Sequence, residues 1–301
     1  MADITRPTTT EEEYELILSY VREAPVFLPN VLTYSLSFVW MTAVGVSILS
    51  AALYMLVSAI SKRQQQQHDH KTIAQFVCQL TNFLVNLVLG VAGVYYFGRF
   101  PPSSTVDFHV LAIQYNNMAA FPAAQVGYQI WAVLYGFTMV QESPLMLVHH
   151  MSAMLAAPPA FFTVGFRYYS PFFGGVTEVS SIPLAIMNMF KRNKDWIARY
   201  PTGYSIVRAL FAASFLYLRC YLWIKHVLYY LRLVALTGTA ATNMFMKGYL
   251  WMSVWAISLL TLMQIYWGIL IVQGFCKTYI RATITPAQNR LNKAEAANKS
   301  Q

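Results

Sequence analysis

Residues 36–60 read LSFVWMTAVGVSILSAALYMLVSAI, without a single Asp, Glu, Lys or Arg. A helix gains about 1.5 Å per residue, so roughly 20 apolar residues cross the ~30 Å hydrocarbon core of a bilayer. The charge-free interval around this run is wider still, from Glu23 to Lys62. The same pattern returns between Lys71 and Arg99, between Asp107 and Glu142, and between Lys247 and Lys277. With 57% hydrophobic and only 11% charged residues and a mean hydropathy of +0.44, the chain cannot be an ordinary water-soluble domain, in which about a quarter of residues are charged. The formal net charge of +9 would point to nucleic acid in a soluble protein, but too few residues here could build an exposed basic face. No nucleic-acid partner is indicated, and the cations read as borders of a membrane.

Further apolar runs at 149–166, 172–190 and 204–231 bring the count to seven, although the last carries Arg208, Arg219 and Lys225. The expected spans are 36–60, 73–97, 124–147, 150–166, 171–190, 204–231 and 249–275. This is an all-α polytopic fold. The fourth span is the weakest, because Pro158 and Pro159 remove amide donors and fix φ inside a short run; a re-entrant segment is the alternative.

Orientation follows from Lys and Arg, which collect on cytoplasmic flanks. With the N-terminus outside, the inner flanks hold Lys62, Arg63, Lys71, Lys191, Arg192, Lys194, Arg199, Lys277, Arg281, Arg290, Lys293 and Lys299. The outer flanks hold Arg6, Arg22, Arg99, Arg167, Arg232 and Lys247, beside the acidic run Glu11, Glu12, Glu13 and Glu15. The bias gives N-out, C-in and an odd number of crossings. The N-terminal stretch is acidic and lacks the basic region of a removable signal peptide, so the first span is expected to be a signal anchor. The C-terminal Lys299, Ser300 and Gln301 carry no retrieval, prenylation or peroxisomal signal. The organisation is an acidic segment at 1–35, a first transmembrane helix and basic loop at 36–69, a membrane domain at 70–275 and a basic cytoplasmic tail at 276–301.

Cys78, Cys220 and Cys276 show no paired spacing, so neither a disulfide framework nor a zinc knuckle is expected, and no metal site is assigned. No repeat, phosphate loop or nucleophile elbow is visible. The patch of Gln64–Gln67 with His68 and His70 reads as a solvated loop.

Chemistry is better sought inside the membrane, where an ionisable group is costly and faces the bundle or a wet cavity. Glu142 and His149 are seven residues apart, about two helical turns, so a continuous helix would put them on one face with His150 turned about 100° away. A carboxylate orienting an imidazole is an acid–base arrangement, although Pro144 disturbs that register. On the fifth span Thr177, Glu178, Ser180 and Ser181 follow Gly174 and Gly175, where small residues permit close packing; the polar group is either a helix contact or a cavity wall. Glu178 could be a general base or the partner of an intramembrane cation. Arg208, Arg219 and His226 follow at intervals of 11 and 7 residues, which returns them to nearly one angular position. Arg208 can snorkel, but Arg219 needs either an ion pair with Glu142 or Glu178 or an anionic ligand group. Gln75, Gln79, Asn82 and Asn86 form a stripe on the second span suited to helix-to-helix hydrogen bonding. Tyr168, Tyr169, Phe172, Phe173, Trp251, Trp255 and Trp267 fit either interface belts or an acyl-chain pocket.

Three stretches resemble the TLC-domain family, named for TRAM, LAG and CLN homology, which includes the ceramide synthases. ESPLMLVHHMSAML, with adjacent His149 and His150, is similar to the family signature at the start of a short span. YYSPFFGGVTEVSSIPLAIMNMFK is similar to its next span, with Glu178, Ser180, Ser181 and Pro183 in place of an aspartate-rich pattern. SFLYLRCYLW sets Arg219 where many members carry an arginine. The resemblance covers roughly residues 70–275 and implies helices around a central intramembrane cavity with the histidine pair inside. Ceramide synthases carry His-Asp and a further Asp after the histidine pair; this chain has Gly174, Gly175, Val176, Thr177 and Glu178 there. It is therefore more similar to the smaller TLC-domain proteins associated with lipid composition, trafficking and sensing.

The resemblance implies a protein handling long-chain acyl lipids, with membrane lipids as partners and no resident cofactor. The candidate catalytic residues are His149, His150, Glu142 and Glu178, and the candidate ligand-binding residues are Arg219, Ser181, Thr177 and His226. The alternative is an N-acyltransferase with acyl-CoA as co-substrate, in which a histidine deprotonates the attacking amine. A seven-helix receptor or channel is the third class, without the outer disulfide of a typical receptor or the charged ring of a pore. Too few histidines are present for a membrane desaturase or hydroxylase. The expected compartment is the endoplasmic reticulum or another endomembrane, with the plasma membrane as the alternative.

Overall fold

The computed structural model describes residues 29–63, 69–99, 120–158, 160, 167, 169–241 and 243–298, and all its elements are helical. The acidic N-terminal segment, Gln64–His68 and positions 161–166 and 168 lie outside the described residues.

Local chemistry sets the helix ends. Helix α1, Pro29–Arg63, begins on a proline, whose fixed φ suits a first turn, and closes on Lys62 and Arg63, which complement the helix dipole. Helix α2, His70–Arg99, is capped by Asp69, whose Oδ1 accepts from Thr72 N at 2.8 Å. Helix α3, Ala120–Tyr135, passes into a π segment, Gly136–Val140. It stops where Gln141 takes a left-handed conformation (φ 55°, ψ 57°) and Glu142 N donates to Gly136 O at 2.9 Å.

Ser143 then caps α4, Pro144–Ala156, accepting from Met146 N at 3.4 Å, with Pro144 as its first residue. The third and fourth spans expected at 124–147 and 150–166 are thereby shifted: the break falls at Gln141–Ser143, because a proline that suits a first turn cannot continue the preceding helix. Helix α4 ends two residues before Pro158, as proline restricts the residue preceding it.

Three short pieces follow: α5, Ser170–Phe173; a 3₁₀ segment, Val176–Ser180; and α6, Ser181–Arg192. The small α7, Lys194–Arg199, leads into a long helical run made of α8, Pro201–Ser214, a π segment, Phe215–Leu222, and α9, Trp223–Ala240. The last helix, α10, covers Met244–Asn298.

Contacts divide the chain into two units, Met1–Thr261 and Leu262–Gln301; in the second, α10 continues to Asn298. In the first unit, Val46, Cys78, Tyr128, Trp131, Ala132 and Val140 form a core between α1, α2 and α3. A second core joins Phe121, Ala160, Tyr169, Trp223, Val227, Tyr230 and Leu250. Met154 and Ala157, at the end of α4, pack on the small core of Val39, Ala123 and Val126 near the start of α3, so α4 runs back alongside α3.

Two contacts are closer than a side chain permits. A Cβ on Gly93 would lie 2.5 Å from Gly175 Cα, and one on Gly175 would lie 2.5 Å from Gly93 Cα and 2.6 Å from Pro171 O. Gly127 packs equally tightly on α1, where an added Cβ would run into Val39 O. These glycines let main chain meet main chain, as in other helical membrane proteins.

The outward faces are apolar. Trp40, Met41, Ile48 and Met55 on α1 and Val88 and Val91 on α2 are exposed, a pattern expensive in water but natural against lipid. Helices at Ser35–Arg63, His70–Gly98, Pro201–Thr239 and Met244–Lys277 are each long and apolar enough to cross a membrane, and Pro144–Ala156 is a shorter apolar helix.

Candidate functional site

The most polar buried feature of the first unit is built from three segments, two of which depart from α-helical geometry. Glu178 and Ser180 lie on the 3₁₀ segment, Ser181 opens α6, and Arg219 lies within the π segment. π-Helical turns recur at functional positions. This one also resets the angular register along 201–240, so Arg208 is exposed while Arg219 and His226 are buried. The single polar face expected for Arg208, Arg219 and His226 on an uninterrupted helix is therefore split.

Arg219 Nη2 donates to Glu178 Oε2 at 2.9 Å and to Ser181 Oγ at 2.9 Å, while Nε donates to Ser180 Oγ at 2.8 Å. Ser181 Oγ donates to Glu178 Oε2 at 2.8 Å, and Gln125 Nε2 donates to Glu178 Oε1 at 3.3 Å. Ser180 Oγ in turn donates to Thr177 O at 2.7 Å. A charge withdrawn from water is tolerated when it is paired and hydrogen-bonded; here the pair is made, and the serines and Gln125 add hydrogen bonds to both of its members. Of the two partners expected for Arg219, Glu178 is the one found.

The histidines occupy the second turn of α4. His150 Nδ1 and Gln129 Oε1 are 2.6 Å apart. With the amide oxygen turned to the ring, Nδ1 is the donor, and a neutral His150 then carries its lone pair on Nε2. The His149 and His150 rings meet edge to face with centroids 5.5 Å apart, and His149 lies within electrostatic reach of Arg219.

Glu142 does not share a helical face with His149, because the helix is interrupted at Gln141–Ser143. It sits in that turn, with its Cγ 3.1 Å from where a Gly136 Cβ would be, and its charge faces Arg192. The carboxylate expected to orient an imidazole is thus replaced, for His150, by the Gln129 amide. Thr177 turns its hydroxyl to Phe173 O at 2.9 Å. His226 lies among aromatic rings, its centroid 4.6 Å from Phe172 and 5.6 Å from Phe97. Ser181, Glu178 and Arg219 are brought together; Glu142 and His226 stand apart from them.

Helix α3 contributes residues that the sequence reading passed over. Gln125, Tyr128 and Gln129 share one face at spacings of three and four, and all are buried. Gln125 meets Glu178, Gln129 meets His150, and Tyr128 Oη donates to Asn82 Oδ1 at 3.0 Å. Two glutamines four residues apart in an apolar span were the available signal. The stripe on α2 bonds between helices: Gln79 Oε1 accepts from Asn188 Nδ2 at 3.3 Å, and Gln75 Nε2 donates to Val140 O at 3.5 Å while its Oε1 accepts from Arg192. Among the described residues no three His, Cys, Asp or Glu side chains converge as a metal-ligand set.

Long apolar helices enclosing a paired arginine and a histidine pair define a helical membrane protein with a polar intramembrane site. The chain belongs to the TLC-domain family, whose model matches residues 37–273. Comparison with curated proteins returns no match. Comparison with solved structures likewise returns none.

Proposed function

We propose that this TLC-domain protein handles long-chain acyl lipids in membrane lipid homeostasis, sensing or trafficking, and that the polar cluster of α3, α4, the 3₁₀ segment, α6 and the Phe215–Leu222 π segment receives the polar end of the lipid. The observation that carries this reading is the Arg219–Glu178 pair with Ser180, Ser181 and Gln125, buried within reach of His149 in an otherwise apolar bundle. Because Arg219 is already matched by a carboxylate, the cluster carries little net charge and favours an uncharged head group, such as a hydroxyl, ester or amide, over a phosphate or carboxylate. The reading includes seven crossings around a central cavity, N-out and C-in, in the endoplasmic reticulum or another endomembrane.

A second reading has its own observation. The Gln129 amide oxygen lies 2.6 Å from His150 Nδ1, an arrangement that leaves Nε2 of a neutral imidazole free to act as the general base. In an N-acyltransferase with acyl-CoA as co-substrate, His150 Nε2 would take the proton of an amine as its nitrogen attacks the thioester carbonyl, and CoA thiol would leave. Glu178, tied to Arg219, would then hold the site together and would not be the base.

Purified protein and its His149→Ala and His150→Ala variants are given long-chain acyl-CoA with long-chain amines, and released CoA and new amide are measured beside co-purified lipids by native mass spectrometry. Retained acyl lipid, reduced in the histidine variants without turnover, supports handling. Histidine-dependent amide formation supports the enzyme. Unchanged lipid retention and unchanged cellular lipid composition in both variants would sink the first reading.

A further inference from the structure

One surface lies outside the cluster, where α6 turns through α7 into α8. Phe190, in the last turn of α6, packs on Tyr204 of α8 with ring centroids 5.7 Å apart, and the Arg208 guanidinium lies 5.7 Å from the centroid of that same Tyr204 ring. Lys191 follows Phe190 directly and lies within electrostatic reach of Arg208, so an ammonium and a guanidinium share the surface around this aromatic platform. Trp196 of α7 closes it from the other side, its ring 6.1 Å from that of Phe190. Among the described residues neither Lys191 nor Arg208 has a carboxylate within ion-pair distance. Arg192, next in the chain, is by contrast engaged by Gln75. Desolvation and the Arg208 charge both push the Lys191 ammonium down from its ordinary value, so the two exposed cations repel each other.

The level of this platform is set by the helix that carries it. Arg208 is seven residues beyond Pro201, about 10 Å along a helix long and apolar enough to cross a membrane, so its guanidinium reaches the head-group region by snorkelling. Trp and Tyr belong at that depth. Lys194 and Arg199 on α7, opposed by Asp195 alone, add positive charge nearby.

We propose that Lys191 and Arg208 form a binding site for the phosphate of an anionic phospholipid in the adjoining leaflet, with the Phe190, Trp196 and Tyr204 rings against its glycerol and upper acyl carbons. A phosphate between the two cations relieves their repulsion and supplies the counter-charge the protein withholds. The lipid surface is favoured over a soluble anion because the platform faces the membrane end of a spanning helix and its remaining walls are aromatic. The site is independent of the intramembrane cluster and stands whether or not that cluster accepts lipid.

The test uses the full-length chain in detergent, offered dioleoyl phosphatidic acid and dioleoyl phosphatidylcholine in equal amounts, with bound lipid counted by native mass spectrometry. Wild type is expected to retain phosphatidic acid about tenfold over phosphatidylcholine. Lys191→Gln with Arg208→Gln is expected to abolish the preference, and Lys191→Arg with Arg208→Lys to keep it. Lys62→Gln with Arg63→Gln controls for general positive charge and is expected to change the ratio less than twofold. The proposal is overturned if wild type shows no preference, if the Lys62 and Arg63 variant loses it equally, or if inorganic phosphate at the lipid's concentration displaces the lipid. Where the double Gln variant fails to fold, the wild-type ratio together with the Lys62 and Arg63 control and the Lys191→Arg, Arg208→Lys variant decides the matter.

Discussion

Arg219 has three hydrogen bonds to three different side chains, and that arrangement dictates how it responds to mutation. Removing one partner of a buried ion pair leaves the other charge uncompensated, at a cost of about 3–5 kcal/mol, whereas replacing both by neutral groups of similar size is often nearly neutral. Glu178→Ala and Arg219→Ala should therefore each lower the thermal unfolding midpoint sharply in detergent, while Glu178→Gln combined with Arg219→Met should recover most of the loss. If the double variant is as unstable as the sum of the two, the pair is not the coupled unit described. The pairing was half legible in the sequence: an arginine in an apolar span requires a partner, and only Glu142 and Glu178 were within reach of such an argument. The choice between them rested on the 141–143 break and the π turn, both products of packing, which residue spacing does not encode. Gln125 and Gln129 went unread for a related reason. An amide in an apolar span is mildly polar, and its importance emerges only once Glu178 and His150 are set against it.

Glycines at single points decide how the elements come together. The 3₁₀ segment that carries Glu178 is pressed on α2 through Gly93 and Gly175, whose Cα atoms leave no room for a Cβ on either side. Backbone, unlike the end of a long side chain, cannot step aside, so Gly175→Ala or Gly93→Ala must separate the two elements, costing about 3 kcal/mol. Because Glu178 rides on the displaced segment, the same change should weaken the Arg219 network. Gly248→Ala, in open space on α10, should leave the melting temperature within about 2 °C, since a surface exchange is worth only about 0.5 kcal/mol. Equal melting temperatures for Gly175→Ala and Gly248→Ala would mean the close contact is not made. At this scale the sequence was a good guide to helices and a poor one to their breaks. The uncharged runs at 36–60 and 73–97 fall inside α1 and α2. The third span ran past its end because Gln141 has no marked preference for a left-handed turn, so only Ser143 and Pro144 announced the stop.

Across the first unit, one end gathers the basic segments. Lys71 at the start of α2 donates to Gln141 in the α3–α4 turn at 2.6 Å, Arg192 reaches Gln75, and Trp196 packs on Phe76 with ring centroids 6.0 Å apart. The 141–143 turn and the 193–200 connection therefore lie on the same side of any membrane that these helices cross. With Lys62 and Arg63 ending α1, cations collect on that side, which the proposed N-out, C-in orientation makes the cytoplasmic one. This bears on the proposed fourth crossing: a re-entrant α4 segment would leave those two connections on opposite sides, whereas a segment that crosses keeps them together. Membrane-impermeant maleimide applied to sealed, cytoplasm-out microsomes should label Ser143→Cys and Thr202→Cys in a Cys276→Ser background, and should reach Met244→Cys only after detergent. All three parent positions are exposed, so a missing label reports the membrane and not burial. Labelling of Ser143→Cys without Thr202→Cys would restore the re-entrant reading, and labelling of Met244→Cys alone in sealed vesicles would invert the orientation while leaving seven crossings intact.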